Sequence, residues 1–114
     1  MKYSGCIIDE SIKDKSVINE FKIVEKIDDD GIMWLVEIDE DKIDYILPRL
    51  QESMVDNPIW YCDLKCEDWH YIIFNDKIFR VNRDCPEQYE ETRQYGLNRG
   101  IHDEQLPNKS WAKQ

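Results

Sequence analysis

Phe21-Lys22-Ile23-Val24-Glu25-Lys26-Ile27-Asp28-Asp29-Asp30-Gly31-Ile32-Met33-Trp34-Leu35-Val36-Glu37-Ile38 is the stretch from which the fold is read. On its first arm Phe21, Ile23 and Ile27 share one face against Lys22 and Lys26 on the other, the period of two that belongs to a half-buried strand. On its second arm Ile32, Trp34, Val36 and Ile38 share a face opposite Met33, Leu35 and Glu37. Between the arms, Asp30-Gly31 readily supplies the positive φ that a tight turn requires. Two arms of strand period joined by such a turn make residues 21–38 a β-hairpin.

On the N-terminal side, residues 2–8 read as a short strand. Residues 14–20 read as a turn or short helix that Asp14 or Ser16 can cap. After the hairpin, Asp39 can N-cap a helix with Glu40 and Asp41 in its first turn, where the macrodipole favours negative charge. Ile43, Ile46, Leu47, Leu50 and Met54 fall on one helical stripe, and Pro48, off the stripe, deletes one backbone hydrogen bond and bends the element. Asn57-Pro58 closes it. The runs 59–62, 69–74 and 77–81 are rich in β-formers, the last two joined by Asn75-Asp76, and predict an antiparallel meander. Pro86 opens and Gly100 closes a last helix over 86–99, in which the small side chains of Thr92 and Gly96 predict close approach to the sheet. Hairpins alternating with helices give an α+β class: a single domain, a largely antiparallel sheet of about six strands, and helices packed on one face. The tail, 107–114, is read as a candidate for disorder.

The chain has 114 residues, of which 41% are apolar, enough for one core and too few for two ordinary domains. No run approaches the roughly 20 apolar residues of a membrane span, and Asp9-Glu10 interrupts the N-terminus before the apolar core of a signal peptide can form. The expectation is a cytoplasmic protein without membrane contact, its Cys6, Cys62, Cys66 and Cys85 held as thiols.

The net charge of -10 is unevenly distributed. Residues 1–27 hold five acids and five lysines, residues 69–114 seven acids and seven bases, and residues 28–68 thirteen acids against Lys42, Arg49 and Lys65. A field of that sign repels phosphate backbones, which argues against direct nucleic-acid binding, and it attracts a basic protein. The first reading is therefore a non-enzymatic binding module that meets a basic partner through Asp28, Asp29, Asp30, Glu40, Asp41 and Asp44. A sharper form of it is a nucleic-acid mimic that occupies the basic groove of a DNA-binding protein, which requires acids spaced as phosphates are. An ordinary solvated acidic surface explains the same composition without any partner.

The rival reading centres on Cys62, Cys66 and His70, each separated from the next by three residues. A hairpin turning about Cys66 would bring residues 62 and 70 opposite each other, where two thiolates and an imidazole suit zinc, with a fourth ligand from Cys85 or Glu67. A buried cysteine is also simply a small apolar residue, and this spacing differs from the two-residue spacing of common zinc turns. No glycine-rich loop cradles phosphates, no imidazole is placed beside a nucleophile outside this hairpin, and no cofactor is expected. Trp34, Trp60, Trp69, Tyr71, Phe74 and Phe79 lie on predicted strands as core or, on an uncovered face, as a contact surface.

The C-terminal half carries Lys77-Ile78-Phe79-Arg80-Val81, then Tyr95-Gly96-Leu97, Gly100-Ile101 and Glu104-Gln105-Leu106. In these motifs the chain resembles a family of small uncharacterised bacterial and archaeal proteins that end in a Tyr-Gly helix and a Gly-Ile-Pro-x-Glu-Gln-Leu tail. His102 stands where that family has proline, and Pro107 where it has an acidic residue. The resemblance implies a compact cytoplasmic α+β domain and transfers no catalytic residue.

Overall fold

The computed structural model describes residues 1–112. Its strands are β1 (Lys2–Ile8), β2 (Lys22–Asp28), β3 (Ile32–Asp39), β4 (Tyr61–Lys65), β5 (Trp69–Phe74) and β6 (Ile78–Asn82). They form one sheet in the order β2-β3-β1-β4-β5-β6, every neighbouring pair antiparallel. Two α-helices, α1 (Ile43–Glu52) and α2 (Tyr89–Asn98), and several 3-10 turns complete the domain. The hairpin stands where the alternation places it, the meander is present with its first strand at Tyr61–Lys65 and not at 59–62, and the class is α+β.

Residues paired across an antiparallel ladder point to the same side, so the register assigns every side chain to a face. Tyr3, Ile7, Val36, Ile38, Cys62, Leu64, Tyr71 and Ile73 lie on the first face, where α1 packs its Ile43, Ile46, Leu47 and Leu50. The second face carries Ile72, Phe74, Phe79 and Val81, covered by Tyr89 of α2 with Ile101, Leu106 and Ala112. The helices thus pack on opposite faces, not on one. An amphipathic stripe demands a sheet to cover, but it does not say which side, and the crossover from β3 to β4 and the return after β6 take different sides.

Three local readings change. Val24 is an extra residue in β2: Ile23 pairs with Val36 but Glu25 with Leu35. This bulge turns Ile27 to the second face, opposite Ile23, and leaves Ile23 and Val24 exposed. The turn 40–42 is 3-10 and Asp39 makes no side-chain cap, so α1 starts at Ile43 and ends before Met54, which instead bridges Ile12. Pro86 opens a 3-10 turn that leads into α2. In the tail, Pro107 and Ala112 are buried and 109–111 form a 3-10 turn, while residues 113 and 114 lie outside the described residues.

Two glycines mark close packing. Gly5 in β1 pairs with Val36 on one side and Leu64 on the other. A Cβ there would collide with the carbonyl oxygen of Asp63 and sit 2.8 Å from Leu64 Cδ2. Gly96 makes room for the tail, not for the sheet: a Cβ would strike the buried Leu106 side chain, 2.9 Å from its Cδ1.

Candidate functional site

The three candidate metal ligands are not brought together. Cys62 pairs with Ile73 on the first face, whereas His70 pairs with Lys65 on the second. The turn spans Cys66-Glu67-Asp68, closed by Cys66 N–H donating to Trp69 O at 2.9 Å, so the register differs by three residues from one centred on Cys66. Cys62 is buried in the first core with its thiol pushed up to about 12 by burial, and Ser11 Oγ is its polar neighbour at 3.9 Å. Among the described residues no group of three His, Cys, Asp or Glu side chains could hold a metal ion.

The candidate partner-binding acids fall into two groups. Asp28 ends β2, and Asp29 and Asp30 lie in the β2–β3 turn, with Asp30 at φ 57° and Gly31 at φ 125°. Glu40, Asp41 and Asp44 follow the other end of β3. The seven residue steps from Ile32 to Asp39 span about 23 Å, so the two groups are not one contiguous patch. Glu40 lies 3.9 Å from the N-terminal amine. Glu10 joins the turn group instead, its Oε1 3.6 Å from where a Gly31 Cβ would be. Asp28, Asp29 and Asp30 are exposed and make no ion pair among the described residues.

On the second face the C-terminal layer covers only β4, β5 and β6. Neither core cluster takes a second-face residue from β1, β2 or β3. The uncovered half presents Ile8, Met33 and Ile27 in one row across the strands, and Cys6, Leu35 and Glu25 in the next. Where the covered half steps down to this bare half there is a groove of about 350 Å³. Cys6 and Ile8 of β1 and Tyr61 and Asp63 of β4 form its floor. Ile59 and Trp60 come from the loop before β4, and Ile101, Gln105 and Trp111 from the C-terminal segment. The row Tyr61, Ile8, Met33, Ile27 runs from the groove to the end of β2 beside the β2–β3 turn, where Asp28, paired with Ile32, points to the first face. Three strand spacings separate β4 from β2, about 14 Å.

Asp63 is the carboxylate of the groove. Its Oδ2 lies 2.7 Å from Nε2 of the fully buried His70, the diagonal neighbour across the β4–β5 ladder. An ionised carboxylate only accepts, so Nε2–H is the donor. His70 Nδ1 meets the Tyr89 hydroxyl at 2.9 Å, and that hydroxyl also lies 3.2 Å from Trp111 O. Burial pushes the Tyr89 phenol up, so it stays protonated. The indole of Trp111 stacks on the His70 ring, centroids 5.5 Å apart at 12°. Arg83 ties the same segment down, donating from Nη1 to Cys66 O at 2.8 Å and from Nη2 to Trp111 O at 3.3 Å. The Tyr61 hydroxyl donates to Gln105 O and fixes the adjoining wall. Burial, and then the charge of Asp63, push the Cys6 thiol up, the direction opposite to that of a nucleophilic cysteine.

Of the strand aromatics, Tyr71, Phe74 and Phe79 are core, while Trp34, Trp60 and Trp69 are partly buried. Trp69 carries the Arg80 guanidinium 3.6 Å above its ring, and of these six only Trp60, which stands in the loop before β4, reaches the groove, beside Tyr61 and Trp111. The sequence reading passed over Asp63. The signal was its place in Tyr61-Cys62-Asp63-Leu64, an acid at alternate register with apolar residues in a central strand. No helix of the described residues is long and apolar enough to cross a membrane. No protein-family model, curated protein or solved structure matches this chain. Its likeness to the family with the Tyr-Gly helix is therefore carried by those motifs alone.

Proposed function

We propose that this protein is a non-enzymatic binding module for a basic protein partner, which it meets on the bare half of the second sheet face. One observation carries the reading. The groove holding Asp63 and the apolar row Ile8–Met33–Ile27 share the second face, and the row ends beside the β2–β3 turn, whose Asp29 and Asp30 are exposed and make no ion pair among the described residues. An apolar strip with carboxylates at both ends fits a surface that combines exposed apolar side chains with lysines or arginines. Glu40, Asp41 and Asp44, at the far end of β3, are outside it. Phosphate mimicry is less well supported, because the acids stand in two separated groups. The cytoplasm is the proposed location, in keeping with four free thiols.

The test is a titration of the full chain with an octalysine peptide, followed by amide chemical shifts. The expected shifts centre on residues 6–8, 27–33 and 59–63, leave 40–44 quiet, and weaken about tenfold when salt screens the charges. Shifts centred on 40–44, or spread over every surface acid, would overturn the reading.

A further inference from the structure

We infer that the groove at Asp63 is a site for one alkyl cation, an ammonium or guanidinium group carried on an apolar stem. The inference rests on the binding reading above and names the chemistry of its ligand. Asp63 Oδ2 is occupied by His70 Nε2–H, but no donor among the described residues reaches Oδ1. The side chain is 16% exposed and lines the groove, and Oδ1 is not buried, so it stays open to a ligand's donor there. A cation supplies that donor together with a complementary charge. An anion is repelled, and an uncharged apolar ligand would leave Oδ1 bare.

The walls suit the rest of such a ligand. Trp60 and Tyr61 offer π-systems that attract a cation, and Ile8 and Ile59 offer apolar surface to a stem. Lys65, two residues along β4, does not neutralise Asp63: its Nζ is held 5.9 Å from the Trp111 ring centroid, and it makes no ion pair with Asp63. The space, about 350 Å³, admits a lysine or arginine side chain or a short amine. His70 acts as a positioning residue. Through Tyr89 and Trp111 it links the orientation of the carboxylate to the seating of the groove wall.

The full chain is titrated into the millimolar range with n-butylammonium, n-butylguanidinium and uncharged n-pentanol, reading amide shifts and the indole N–H signals of Trp60 and Trp111. Both cations should shift Cys6, Ile8 and Asp63, with pentanol weaker by about tenfold. Asp63→Asn, which keeps an acceptor for His70, should weaken the cations by about the same factor. Ile59→Lys, at a position 48% exposed and so safe for folding, should do likewise by placing a competing cation at the mouth. Equal binding of pentanol, unchanged cation binding by Asp63→Asn or Ile59→Lys, or no shift with any cation overturns the inference. Octalysine that displaces n-butylammonium identifies a partner's side chain as the source. Spermidine that binds where octalysine leaves the groove untouched identifies a free polyamine. If the small cations fail while octalysine still shifts residues 28–30, this inference falls and the broader one stands. If octalysine fails while the small cations bind, the broader one falls and this one stands.

Discussion

Replacing Gly5 with alanine tests whether the seam between β1 and β4 is as close as the structure places it. The new methyl group would meet the carbonyl oxygen of Asp63, a backbone atom that cannot rotate away, and Leu64 Cδ2 at 2.8 Å. Over-packing a core costs about 1–3 kcal/mol, and a backbone obstacle places this case at the upper end. Alanine returns at most about 1 kcal/mol by restricting the unfolded chain. The net expectation is a loss of about 2 kcal/mol. For a chain of this length about 4 °C in Tm corresponds to each kcal/mol, so thermal unfolding should move down by about 8 °C. Gly100→Ala is the internal comparison: its φ is +91° and a Cβ would meet nothing within 4 Å, so only the conformational cost of about 1 kcal/mol applies. Because Cys6 and Asp63 are direct neighbours on the other side of the same seam, Gly5→Ala should also shift the groove amides, whereas Gly100→Ala should not. Melting curves followed by circular dichroism decide it. A Gly5→Ala loss below that of Gly100→Ala would refute the close-seam argument.

Thr92 is buried in α2, and its Oγ1 has no hydrogen-bond partner among the described residues. Thr92→Val should therefore stabilise the protein by about 1 kcal/mol in denaturant titration, and a loss of similar size would show that the hydroxyl has a partner. At acid pH, Asp76 is held below its ordinary value of 3.8 by the Tyr95 hydroxyl and then Arg99. Asp103 is likewise held down by Arg93, and Asp9 by the Trp34 indole and Lys15. Folding lowers these values, so the unfolded chain takes up protons first. The stability they contribute is complete above pH 3.8 and is lost as pH falls below it. Asp76→Asn, at an exposed position, should cost no more than about 1 kcal/mol at neutral pH and converge with the parent near about pH 2. A constant difference across that range would contradict the assignment.

Much of the fold was legible because period-two alternation and turn residues are local signals. Phe21 to Ile38 carries both, while the meander, read at 59–81 from its β-formers and turn residues, is realised from Tyr61 to Asn82. What could not be read was long-range. The stripe Ile43, Ile46, Leu47, Leu50 shows that α1 covers a sheet, but only the crossovers decide that α1 and α2 cover opposite faces. The adjacent apolar pair Ile23-Val24 was a visible break in alternation, and its meaning as a bulge depends on the partner strand. The metal reading failed on register, because a turn of Cys66-Glu67-Asp68 moves His70 from Cys62 to Lys65. The acidic middle failed on distance, since neighbours in sequence stand at opposite ends of β3. Asp63 gained meaning only when the second face acquired a layer and a step.

The bulge at Val24 also bears on assembly. β2 is an outer strand of the sheet, and an outer strand exposes a row of main-chain groups that another chain can template upon. The surplus residue breaks that row midway, and Lys22 and Lys26 flank it with charge. At the opposite margin, the N–H of Asn82 in β6 is taken by Gln88 Oε1 at 2.8 Å. Both margins are blunted, so lateral growth into ribbons or fibrils is discouraged by the molecule's own outline, even though half of one broad side of the sheet is left without cover.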